Sequence, residues 1–203
     1  MLGLVLASSG LCQKVVMTET TEVLPNLVNN MNLNINNRGI NRHVNATSEA
    51  TQNPLEPESI SVRRLRWDKV KKDILACQHD DGSDDLKSHS FDTIVGTDVV
   101  FSTKLVKPLL KTLQKLSHSK TIIYLCLQIR CADSHALLLK KAGKYGFDCK
   151  DCTDELKEMP VYSWGLELEC KILRFSIPGE KGKDKCKRKL DICPQEERKR
   201  MRG

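Results

Sequence analysis

The 203-residue sequence predicts an α/β protein, a doubly wound and mostly parallel sheet that ends in an antiparallel strand. Three observations predict it. Segments of helical periodicity alternate with short β-branched runs as far as about Ile177. The run Thr121–Leu127 (TIIYLCL) is continuously apolar, the signature of a strand covered on both faces. Two apolar runs close on acids, Glu19 and Asp98, and open α/β sheets bind ligands outside the carboxyl ends of their strands.

In chain order, Leu2, Leu4, Val5 and Leu6 followed by Ser8, Ser9 and Gly10 predict a helix with a glycine stop. Lys14–Glu19 (KVVMTE) predicts a short strand. Its terminal Glu19 suits a carboxylate that accepts from both hydroxyls of a ribose, and equally an acid favoured by the dipole of the next helix. That helix, Glu22–Met31, has Val23, Leu24, Leu27, Val28 and Met31 as its expected buried face. From Asn32 to Glu58 the composition shifts to Asn, Thr, Ser, Glu and Pro and predicts a flexible surface insertion. Ile60–Trp67 alternates at period two and predicts a strand, at whose end the Trp67 indole either packs or stacks on an adenine-like ring. His79–His89 (HDDGSDDLKSH) holds metal-ligand residue types without fixed spacing and predicts a solvated loop.

Phe91–Phe101 (FDTIVGTDVVF) predicts a short buried strand from Phe91, Thr93, Ile94, Val95, Val99 and Val100. Gly96, Thr97 and Asp98 interrupt it, either as a plain strand-end turn or as a lone acid placed where chemistry is expected. Lys104–Leu116 predicts a helix with Leu105, Leu109, Thr112, Leu113 and Leu116 on one face and Pro108 near its first turn. After the apolar strand come a helix at Ser134–Lys144 with a break at Gly143, a short strand at Phe147–Lys150, and Leu166–Phe175, whose alternation predicts an antiparallel edge strand.

The formal charge is +7, but residues 180–203 hold ten Lys/Arg against five Asp/Glu and leave about +2 on the other 179 residues. A near-neutral body gives no electrostatic case for a nucleic-acid partner. The tail, residues 178–203, is expected to be basic and disordered, compatible with nuclear import or an acidic partner. Nine cysteines, odd in number and several inside apolar runs, fit free thiols of a reducing compartment. Cys149-x-x-Cys152 has redox or zinc spacing without a second pair and is read as coincidence, so no metal is expected. No apolar run approaches a membrane span, and the first ten residues lack the basic start of a signal peptide, so no membrane partner is expected.

Several of these pieces, in order, resemble the seven-strand, S-adenosylmethionine-dependent protein-lysine methyltransferases of the methyltransferase-like group. Val15–Glu19 followed by Val23, Leu24, Asn29 and Asn30 looks like that family's second strand, whose terminal acid holds the cofactor ribose. Val62–Asp68 is similar to its valine, leucine, tryptophan, glycine third strand, with Asp68 where glycine is usual. Asp98–Phe101 matches its acid-x-x-aromatic motif after strand four, and Ile129–Ser134 looks like the segment after strand five. The resemblance covers residues 2 to about 177.

It implies a Rossmann-like methyltransferase domain over residues 1–177, with 32–58 as an insertion. It also implies a first strand and glycine-rich cofactor loop that are missing before Leu2, as in a fragment, a short isoform or an inactive form. The implied cofactor is S-adenosylmethionine, bound through Glu19, Trp67 and Thr97, with Asp98 and Phe101 as catalytic residues. The implied partner is a protein presenting a lysine side chain, within a protein complex or on a chaperone, in the cytoplasm or nucleus. Two alternatives stand beside this reading: a non-catalytic scaffold that keeps the fold, and a methyltransferase acting on a small molecule or nucleic acid.

Overall fold

The computed structural model describes residues 2–8, 12–41, 60–80, 85–156 and 170–178. In chain order the elements are α1 (Leu2–Ser8), β1 (Val15–Glu19), α2 (Leu24–Asn41), β2 (Ile60–Arg64), α3 (Val70–Asp80), β3 (Phe91–Thr97), α4 (Thr103–Leu116), β4 (Ser117–Gln128), α5 (Ala132–Ala142), β5 (Asp148–Asp151), α6 (Thr153–Leu156) and β6 (Cys170–Ser176). The chain is α/β, as its alternating pattern predicts, and it divides into two compact units, residues 1–88 and 89–203.

In the first unit β1 and β2 pair in parallel, with Val15 opposite Ile60 and Glu19 opposite Arg64. A parallel pair needs a crossover, and α2 supplies it. Leu4, Met17 and Ile60 form the buried centre, with Val15, Leu27, Met31, Ile35 and Val62 packed around it. α1 approaches β1 so closely that a Cβ on Gly3 would lie 2.6 Å from Met17 Cγ, so glycine is what lets the helix sit there. α2 continues to Asn41, well into the stretch expected to be a loose insertion, and residues 42–59 lie outside those described. Its inward stripe is Leu24, Leu27, Val28, Met31 and Ile35, all only half-buried, while Val23 is exposed ahead of the helix.

Helix α3 falls between two strands that sequence patterning leaves adjacent. Val70, Ile74 and Cys77 give it helical spacing, and Ile74 and Cys77 are buried. Of the acidic stretch after it, expected to be a solvated loop, Asp85 is not solvated, and residues 81–84 lie outside those described. Asp85 has a side chain only 9% exposed and pairs with both Lys14 and Arg63. Burial pushes the Asp85 carboxyl up, but the Lys14 hydrogen bond and the Arg63 and Lys14 charges outweigh this and hold it below the ordinary range.

In the second unit the strand order is β3-β4-β6-β5. β3 and β4 are parallel, and β6 runs antiparallel to both β4 and β5. The last strand is therefore antiparallel, as expected, but interior rather than at the edge. Its alternation reflects one covered face: Leu173 and Phe175 are buried while Ile172 and Arg174 are half-exposed. β4 likewise buries Thr121, Ile123, Leu125 and Leu127 and exposes Tyr124, so the apolar run is covered on one face, not two, among the described residues. β3 differs most from expectation. It buries none of its side chains fully, and Val95 is exposed opposite Tyr124.

α4 lays Val106, Leu109, Leu110, Leu113 and Leu116 into the core, a stripe at helical spacing. Ser102 caps it by accepting the Lys104 N–H at 3.4 Å. Since the helix begins at Thr103, Pro108 stands in its second turn rather than its first and supplies no N–H to the carbonyl of Lys104. The expected break at Gly143 is a 3₁₀ turn, Gly143–Tyr145, closed by Gly146 at φ 82°. Residues 166–169 and 179–203, which include the start of the expected last strand and nearly all of the basic tail, lie outside the described residues.

Candidate functional site

Glu19 is the last residue of β1. Its Oε2 accepts the Thr20 N–H at 2.9 Å, and Oε1 has no protein partner among the described residues. Its main-chain carbonyl accepts the Leu65 N–H at 2.9 Å, which extends the β1–β2 pairing one residue past the strand. Trp67, half-buried, begins the 3₁₀ turn Trp67–Lys69 that leads into α3. A carboxylate and an indole thus stand at the carboxyl ends of neighbouring parallel strands, a donor set that fits a ribose diol and a purine ring.

A residue absent from the sequence reading holds this corner in place. Asp73 on α3 has a fully buried side chain. Its Oδ2 accepts the Arg66 backbone N–H at 2.7 Å and Nε at 3.1 Å, while Oδ1 meets Arg66 Nη2 at 2.5 Å and Arg64 Nε at 3.4 Å. Burial raises the Asp73 pKa, but the Arg66 hydrogen bonds and the Arg66 and Arg64 charges prevail and leave it lowered. The signal for it in the sequence is the helical spacing of Val70, Ile74 and Cys77, which places an acid at 73 in the first turn.

In the second unit Thr97 ends β3, and Asp98 follows it at φ 52°, a left-handed conformation that aspartate tolerates better than most residues. The Asp98 N–H donates to the Cys126 carbonyl at 2.9 Å, and Asp98 Oδ1 accepts the Gln128 N–H at 3.1 Å. Arg130 Nη2 approaches Asp98 Oδ2 to 3.6 Å, and its Nε donates to Gln128 Oε1 at 3.0 Å. The Asp98 side chain is 51% exposed, so it is neither a packed acid nor an idle surface charge. Val100 is buried, whereas Phe101 is 60% exposed just before α4.

The model of a lysine methyltransferase family matches residues 1–142, which is more than half of the chain. The chain belongs to the lysine methyltransferase family. No curated protein matches it. Glu19, Trp67, Thr97, Asp98 and Phe101 of this methyltransferase all lie within the matched residues, and its α/β fold, with parallel pairs β1–β2 and β3–β4 and an antiparallel β6, agrees with a Rossmann-like methyltransferase.

The cysteine pair behaves differently from a redox motif. Burial, then the nearby acids, push the Cys149 thiol up to about 11, so it is not a thiolate at neutral pH. Among the described residues no group of three or more His, Cys, Asp or Glu is placed to hold a metal, and no helix is long and apolar enough to cross a membrane.

Proposed function

We propose that this family member is an S-adenosylmethionine-dependent protein-lysine N-methyltransferase. The observation that carries the reading is the placement of an acid at the carboxyl end of β1 and another just past β3, both inside the matched residues. When bound, the cofactor would supply an electrophilic sulfonium methyl for transfer to a neutral amine, with its thioether as the leaving group.

The remaining chemistry belongs to the chain. Glu19 offers a carboxylate oxygen to the ribose hydroxyls, Trp67 offers a ring face to the adenine, and Thr97 lines the strand end beside Asp98. A free lysine, pKa about 10.4, is protonated at neutral pH, so the amine must lose a proton before it attacks. Asp98 accepts a hydrogen bond from that amine and orients it. Phe101, exposed three residues further on, walls the methyl site and offers a ring face to positive charge. Alignment of this kind is worth roughly 7–11 kcal/mol of the barrier.

The test incubates full-length protein and a cell lysate with a methyl-labelled cofactor and maps the labelled residue by mass spectrometry. Label on lysine side chains, lost with Asp98→Ala, is the expected result. Label on nucleic acid or small molecules alone would overturn the substrate class.

A further inference from the structure

Two consecutive backbone N–H groups precede Trp67, and each is held by a different acid residue. Leu65 N–H is held by the main-chain carbonyl of Glu19 at 2.9 Å, and Arg66 N–H by the carboxylate of Asp73 at 2.7 Å. Arg66 itself is extended, at φ −97° and ψ 120°, and its carbonyl accepts the Lys69 N–H at 2.9 Å to start the 3₁₀ turn. The chain therefore leaves β2 and reverses into α3 with its direction fixed on both sides of the indole. Asp73 is also bound by the Arg66 guanidinium at two nitrogens, a grip that a neutral side chain cannot reproduce.

We propose that Asp73 is a positioning residue for cofactor binding, acting through Arg66 to set the Trp67 ring in register with the Glu19 carboxylate. This rests on the reading of Glu19 and Trp67 as the adenosine-binding pair. A buried carboxylate needs several partners whatever its role, so what matters at Asp73 is where those partners lie. Asp73 fixes the residue immediately before the indole by backbone and side chain together. Its place in the first turn of α3 adds the favourable dipole of the helix N-terminus.

The test is a double-mutant cycle on full-length protein, with S-adenosylmethionine affinity measured by titration calorimetry. Asp73→Asn is expected to weaken binding about tenfold, the shift that follows from losing one well-made polar contact. In a Trp67→Ala background the same change should have little further effect, because the ring it positions is gone. The quenching of Trp67 emission at saturating cofactor, isolated by difference from Trp67→Phe, should also fall in Asp73→Asn. Equal weakening in both backgrounds with unaltered quenching would make Asp73 merely structural and overturn the proposal. If Asp73→Asn does not fold, Arg66→Lys removes the two-point grip, keeps the charge and runs the same cycle. Unchanged affinity on Trp67→Ala alone would instead overturn the adenosine-site reading.

Discussion

The Asp98 carboxylate accepts the Gln128 backbone N–H at 3.1 Å, while the Asp98 N–H donates to the Cys126 carbonyl. The two bonds join the turn after β3 to the end of β4 and hold Asp98 at positive φ. Strain of this kind, kept by surrounding bonds, is typical of functional positions. Chemistry and backbone strain at Asp98 can be separated by substitution. Asp98→Asn keeps the left-handed preference and an oxygen for Gln128, so melting should hold while methyl transfer falls about tenfold or more. Asp98→Ala should also lose roughly 1 kcal/mol of stability, and Asp98→Gly should recover the backbone share of it. Full activity in Asp98→Asn would leave the acid with a structural role only.

Glu19 is a cleaner probe of cofactor binding, because its side chain makes one local bond, to Thr20. Glu19→Gln retains an acceptor for that bond but loses the charge offered to the ribose. Titration calorimetry should show weaker S-adenosylmethionine binding by about tenfold, with an unchanged melting midpoint. Unaltered affinity would remove Glu19 from the site.

Acid sensitivity should trace to Asp73. Its folded pKa lies below the ordinary value of 3.8, so its ionised form stabilises the fold at neutral pH. That contribution begins to be lost as pH falls below 3.8 and is gone once pH passes through the lower folded value. In denaturant melts between pH 6 and roughly pH 2, Asp73→Asn should show a shallower acid decline than wild type. Parallel declines would place the acid limb elsewhere, with Asp85, Asp151 and Glu155 as the other carboxyls held low among the described residues.

Phe175 tests the second unit's core. It is fully buried and meets Phe147 edge to face, with ring centroids 6.2 Å apart and planes at 84°. Phe175→Ala should cost about 3–5 kcal/mol in equilibrium unfolding, and Phe175→Leu far less. A loss below about 1 kcal/mol for the alanine variant would show that the site collapses around the cavity.

The sequence alone determined the fold class, the positions of both strand-end acids, and most helices, because hydrophobic period and terminal residue type are local properties. Glu19 ends β1 and Asp98 follows the last residue of β3, as the ends of their apolar runs suggest. Order within the sheet is not local. The alternation of residues 166–175 suits an edge or an interior strand equally, and only pairing with both β4 and β5 decided that β6 is interior. The exposure of Val95 and Tyr124 was likewise settled by what packs against β3 and β4, since a β-branched run is compatible with either one or two covered faces. The burial of Asp73, unlike its place in a first turn, lay outside sequence reach for a further reason. A first-turn acid on a helix is ordinarily solvated, and its burial depends on the Arg64 and Arg66 side chains and the Arg66 N–H, which only the turn from β2 into α3 brings to it.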